Sequence, residues 1–115
     1  MKIIKSYEKI FKALGDKTRL RIINMLMQNS MCVCEITSIL PFSQSTVSGH
    51  LKVLRDAEIL NDNKDGLWVV YSLNKENNFV SKILDDLKSS FVLDENLIKE
   101  NEKSKNANRD LLCKR

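Results

Sequence analysis

The chain has 115 residues, enough for one small domain and too few for two. Its 43% hydrophobic and 30% charged content suits one core under a solvated surface. It has no apolar run of membrane-spanning length and no signal-peptide pattern, so a cytoplasmic protein with no membrane partner is expected. The net charge of +4 is compatible with a nucleic-acid partner, and the single histidine excludes most catalytic and zinc sites that use two or more imidazoles.

Tyr7, Ile10, Phe11 and Leu14 follow helical spacing and predict a first helix, closed by Gly15. Asp16 is the expected N-cap of a second helix, with Leu20, Ile23, Leu26 and Met27 as its stripe. Ser30 is the expected cap of a short third helix carrying Cys32, Val33, Ile36, Ile39 and Leu40, stopped by Pro41. Ser43 then caps a fourth helix that ends near Ala57.

Beyond Ile59 the period changes from helix to strand. Leu67, Val69, Tyr71 and Leu73 alternate with Trp68, Val70 and Ser72. Residues 59–61 are the expected partner strand, with Asp65 and Gly66 in the turn. A last helix follows, with Phe79, Val80, Ile83, Leu84, Leu87 and Phe91 on a face too broad for so small a monomer. Part of it is therefore expected to face another subunit. The order predicts a mainly α fold with a small β-hairpin, a homodimeric winged helix-turn-helix. Residues 1–91 form the DNA-binding and dimerisation domain, and 92–115 a C-terminal tail. That tail is almost wholly polar over 99–108 and reads as loose, with Leu111, Leu112 and Cys113 restoring a small apolar patch.

At about 100° per residue, Val47, Leu51 and Leu54 share the core side of the fourth helix. Ser45, Ser48, Gly49 and Lys52 cluster opposite. Small hydroxyls and one cation suit a helix entering a major groove, and Gln44 can pair bidentately with adenine. Gly49 lowers helix propensity by roughly 1 kcal/mol against Ala and lets backbone approach DNA closely. Candidate DNA contacts are thus Gln44, Ser45, Thr46, Ser48, Gly49 and Lys52, joined by Asn63 and Lys64 near the hairpin tip. Those last two also fit an ordinary solvated turn. His50 falls at the edge of the apolar side and reads as boundary packing. No nucleophile–base pair or phosphate loop is visible, so an enzyme is not expected.

Three cysteines is an odd number, and Cys32 and Cys34 are too close for a structural staple. In a reducing compartment this favours metal binding or redox use, against the alternative of two buried core cysteines. On an ideal helix, residues i and i+2 point about 200° apart. Capture of one atom by both thiols is therefore expected to unwind or tilt the start of the third helix. The N-terminus of that helix is expected to favour the thiolate form.

Four stretches resemble the ArsR/SmtB family of winged-helix repressors: Asp16-Lys17-Thr18-Arg19-Leu20-Arg21-Ile22, Cys32-Val33-Cys34-Glu35-Ile36, residues 43–54 from Ser43 to Leu54, and Gly66-Leu67-Trp68-Val69-Val70-Tyr71. The resemblance covers about residues 7–91. It implies a homodimer built from the first and last helices, bound to double-stranded operator DNA without a cofactor and released by an inducer. The arsenic-responsive members carry Cys-Val-Cys-Asp-Leu-Cys, whose first two cysteines match Cys32 and Cys34, while Thr37 stands at the third. Soft thiolates suit As(III) or Sb(III) as inducer, and also cadmium, lead or copper(I). Trivalent arsenic prefers three sulfurs. Cys113 is the remaining thiol of the chain and the candidate third ligand, with a bystander tail thiol as the alternative. The zinc-type site of related repressors needs histidines that 78–91 lack, and the type with an N-terminal cysteine is not matched by 1–31. A thiol-redox sensor on the same scaffold, or a dithiol or metalloid-binding protein without DNA function, is the competing expectation.

Overall fold

A computed structural model describes residues 1–107. Helix α1 (Lys2–Leu14) ends where the Gly15 N–H reaches the Phe11 and Lys12 carbonyls. Asp16 starts α2 (Lys17–Leu26), its carboxylate accepting the Arg19 backbone N–H at 3.0 Å. This cap satisfies one of the otherwise orphaned donors of the first turn. Ser43 does the same for α4 (Gln44–Asp56) by accepting from the Thr46 N–H. Both caps stand where the sequence places them.

The third helix departs from expectation. Met31 and Cys32 form a two-residue strand, β1 (Met31–Cys32), and α3 (Val33–Thr37) starts after it. Ser30 is not the cap. Cys32 occupies that position in extended backbone, and the Glu35 carboxylate reaches back to accept the Cys32 N–H at 2.9 Å. The physical reason is the sheet: Met31 pairs with Tyr71 and Cys32 with Val70, so tertiary pairing outweighs helical continuation. The sheet consequently has three antiparallel strands in the order β1-β3-β2, one more than a hairpin.

The hairpin joins β2 (Leu60–Asp65) to β3 (Trp68–Leu73). Asp65 pairs with Trp68, leaving Gly66 and Leu67 as a two-residue loop. Gly66 has φ 64, the left-handed value that a first loop residue needs for its twist to match the strands. The expected partner strand of residues 59–61 thus runs four residues further, and Asp65 belongs to the strand rather than the turn. Its outer half is polar on both faces, so no alternation marked it.

Between α4 and β2 the chain turns at Glu58, with φ 62. The Ile59 N–H returns to the Leu54 carbonyl and the Glu58 N–H to the Arg55 carbonyl, a Schellman closure. Ile59 and Leu60 drop straight into the core beside Ile22, Ile23, Met25, Ile36, Val47, Leu51 and Leu54.

Helix α5 (Asn78–Phe91), capped by Asn77, buries Val80 and Leu84. Phe79, Ile83, Leu87 and Phe91 pack at its margin, half-buried. Tyr7 stacks on Phe79 with ring centroids 4.3 Å apart. The stretch expected to be a loose tail instead forms α6 (Glu95–Lys105), docked on α2. It has no apolar stripe to announce it. Its anchors are polar: Asn24 donates to the Leu97 carbonyl, Asn101 donates to the Asn24 carbonyl, Ser104 donates to the Met25 carbonyl, and Arg21 pairs with Glu100. Glu100 raises the pKa of the Arg21 guanidinium through these hydrogen bonds.

Candidate nucleic-acid interface and thiol pair

Three apolar residues hold α4 to the core: Val47, Leu51 and Leu54 are fully buried. The opposite face is bare. Gln44, Ser45, Thr46, Gly49 and Lys52 are exposed and Ser48 is half-buried. Thr46 and Ser45 also meet the capping Ser43 hydroxyl, at 2.9 and 3.2 Å, which ties their side chains to the helix start. A Cβ at Gly49 would have nothing within 4 Å. The fold itself therefore imposes no need for glycine there, although glycine costs helix stability.

The hairpin stands beside this helix as a wing. Arg55, at the end of α4, donates to Asp62 on β2 at 3.1 Å and to Asp56 at 3.4 Å. These carboxylates raise the pKa of the Arg55 guanidinium, Asp62 most. Asn63 and Lys64 lie on β2, exposed, opposite Val70 and Val69. They are strand residues close to the tip rather than turn residues.

Helix α3, packed against α4, follows directly on Cys32 and carries Cys34 in its first turn. Cys32 is 2% exposed and Cys34 is half-buried. Their sulfurs lie 3.1 Å apart. The expected opposition of the two side chains therefore does not occur, because Cys32 is an extended cap and not a helical residue. With both cysteines reduced, one centre could bridge both sulfurs without unwinding α3. With sulfur bonds of about 2.3 Å, as in zinc thiolates, a 3.1 Å separation leaves roughly 85° between them. Thr37, at the position of the family's third cysteine, turns its hydroxyl to the Cys34 carbonyl at 3.0 Å. Among the described residues no three His, Cys, Asp or Glu side chains converge as a metal site. Cys113 lies outside the described residues.

The sheet register puts Cys32, Val70 and Asn63 in one row across β1, β3 and β2. The thiol pair thus touches the wing through backbone pairing and the recognition helix through α3. Sequence reasoning missed this row, since a two-residue strand has no periodicity of its own.

A helix-turn-helix that bares a polar face on its second helix and carries a hairpin beside it defines a winged helix-turn-helix DNA-binding protein. Residues 16–62 match the bacterial regulatory protein family arsR. Over 75 residues the chain is 43% identical to the arsenical resistance operon repressor of Bacillus subtilis, covering 64% of this chain and 71% of that protein. Over 89 residues it is 42% identical to the uncharacterized HTH-type transcriptional regulator MJ1325 of Methanocaldococcus jannaschii, covering 73% of this chain and 100% of that one. Among solved structures, HlyU from Vibrio cholerae superposes with a TM-score of 0.68 at 31% identity, covering 79% of this chain and 97% of that chain. The chain belongs to the arsR family of transcriptional regulators. No helix among the described residues is long and apolar enough to cross a membrane.

Proposed function

We propose that the chain is a repressor that binds double-stranded operator DNA as a homodimer and leaves it when Cys32 and Cys34 capture trivalent arsenic or antimony. The observation that carries this reading is the 3.1 Å sulfur pair at the start of the helix that precedes the recognition helix. The arsenical repressor of Bacillus subtilis, 43% identical over the matched residues, supports the choice of effector. Arsenite exchanges its hydroxides for thiolates: each As–S bond forms as an As–OH bond breaks, and the thiol proton leaves with the hydroxide as water. Soft sulfur donors favour this exchange.

DNA contacts are assigned to Gln44, Ser45, Thr46, Ser48, Gly49 and Lys52 in the major groove and to Asn63 and Lys64 on the wing. The dimer face is assigned to α1 and α5. Ile3, Ile4, Tyr7 and Phe11 of α1 are large apolar side chains left exposed, and Tyr7 and Phe11 lie against Phe79 of α5. Such a patch favours a second copy related by a two-fold axis.

Release follows from two routes out of the thiol pair. A third bond from the shared centre to Cys113 would pull on Cys32, straining its pairing with Val70 and hence the wing. Moving Cys34 shifts α3 against α4. A hundredfold loss of DNA affinity needs only about 2.7 kcal/mol of coupling.

Cys113 is proposed as the third sulfur. The docked α6 favours this, because Asn29, three residues before Cys32, donates to the Ser104 carbonyl at 3.2 Å. The six residue steps from Ala107 to Cys113 span at most about 20 Å. Sulfur coordination in the reduced, arsenite-loaded protein tests the set by X-ray absorption. Three sulfurs are expected in wild type and two in Cys113→Ser; equal numbers would remove Cys113.

The close sulfur contact also favours a second reading, a redox sensor. Hydrogen peroxide would take two electrons and two protons from the thiols, forming the disulfide and two waters. Operator release by arsenite under full reduction excludes it as the sole signal.

A further inference from the structure

One guanidinium joins three helices in this fold. The Arg19 Nε donates to the Ala13 carbonyl at 2.7 Å and Nη2 to the Lys12 carbonyl at 3.1 Å, so Arg19 closes the C-terminal end of α1. Its own backbone belongs to α2, where the Asp16 carboxylate lies 4.0 Å from Nη1. The same Nη1 meets Nδ1 of His50 on α4 at 3.2 Å. Arginine has no acceptor, so His50 accepts at Nδ1 and is the tautomer protonated at Nε2. The Arg19 side chain is only 16% exposed, and its planar fork is held from several sides at once.

His50 sits between Gly49 and Leu51. On one side of it is the bare polar face, and on the other a fully buried core residue. A hydrogen bond to its ring therefore fixes the rotation of α4 about its axis. Apolar packing of Val47, Leu51 and Leu54 fixes depth but tolerates small rotations, since it has no direction. Arg19 supplies the direction. It also references α4 to the end of α1, the helix that carries the exposed Ile3, Ile4, Tyr7 and Phe11.

We propose that Arg19 is a positioning residue for operator recognition. It acts through His50, setting the angle of the recognition helix relative to α1 without touching DNA. The proposal rests on the operator-binding reading above. In a dimer paired through α1, this single contact in each subunit would set how the two recognition helices are presented to the two half-sites. The residue type matters: lysine keeps the charge, yet cannot bond two carbonyls and an imidazole in one plane.

The test uses the full-length reduced protein and a duplex selected by it from a random-sequence pool, with a scrambled duplex as control. Arg19→Lys is expected to weaken binding to the selected duplex about tenfold while leaving scrambled-duplex affinity and the salt slope unchanged. His50→Ala should produce a similar loss, and the double variant no more than either single change. His50→Asn, which keeps an acceptor near the Nδ1 position, should recover most of what His50→Ala loses. Strictly additive losses would overturn the link between the two residues. A salt slope shallower by about one, with weaker scrambled-duplex binding, would show Arg19 to be a phosphate contact instead. A lower melting temperature with selected-duplex affinity intact well below it would make Arg19 merely structural. A wild-type protein that selects no duplex overturns the operator reading and this proposal together, whereas a binding wild type matched by Arg19→Lys overturns this proposal alone.

Discussion

Helices α4 and α6 are both rich in polar residues and use them in opposite ways. Helix α4 is held by an apolar stripe, Val47, Leu51 and Leu54, and leaves its polar face to the outside. Helix α6 buries one residue, Ser104, and spends its polar groups on α2. Polarity along a helix therefore says little about function until its partners are known. The face of α4 is a candidate surface because the described residues place so little on it. The face of α6 is already consumed.

Within α4 the two uses of a helix face meet at two adjacent residues. Leu51→Ala should cost about 3 kcal/mol of stability, the loss of transfer energy plus a cavity. Lys52→Ala should leave stability within about 0.5 kcal/mol and weaken operator binding with a salt slope shallower by about one. Denaturant unfolding and a salt series of binding curves separate the two. If Lys52→Ala unfolds the protein or leaves the slope unchanged, the outer face is not a DNA surface.

Asn24→Ala should cost about 2 kcal/mol, because it removes the buried side chain that donates to the Leu97 carbonyl and docks α6 on α2. The loss should be local. Hydrogen exchange is expected to accelerate in α6 amides and not in α4 amides. Uniform acceleration would mean that α6 is part of the main cooperative unit.

Asp16 gives a smaller effect with a pH signature. The Arg19 backbone N–H, and then the Arg19 charge, hold its carboxyl below the usual value of 3.8 against the opposing effect of burial. A depressed carboxyl contributes stability above its unfolded pKa and loses it as pH falls through the folded one. Asp16→Ala should therefore cost about 1 kcal/mol at neutral pH. The gap to wild type should stay level down to about pH 4 and close below it. A gap unchanged under strong acid would remove the carboxylate from the cap.

The smallest effect is expected at Glu58. Its φ of 62 favours glycine, and Glu58→Gly should gain up to about 1 kcal/mol. The Schellman bonds from Glu58 and Ile59 are backbone bonds and remain. A loss of stability would mean that the Glu58 side chain holds the turn.

The parts of the fold legible in the sequence are those governed by local rules. Asp16 and Ser43 announce their helices because a cap acts within three residues. Val47, Leu51 and Leu54 announce the core side of α4 because helical period is local. Strand β1 was not legible, since Met31 and Cys32 are extended only because Tyr71 and Val70 lie beside them. That one error changed the chemistry: it made the thiols diverge where the structure brings them together. Helix α6 escaped for the opposite reason, having no stripe for the period to show. The Arg19–His50 contact spans 31 positions and has no local signal at all.

Effector capture depends on Cys32 and Cys34, and one measurement addresses them directly. Operator release by arsenite is followed under full reduction for wild type, Cys32→Ser and Cys34→Ser. Serine preserves size but is a poor ligand for a soft centre. Wild type should lose operator affinity about a hundredfold on arsenite addition, while both variants bind the operator as wild type does and stay bound. A Cys34→Ser protein released by the same arsenite concentration as wild type would contradict the assignment of the pair as the effector site.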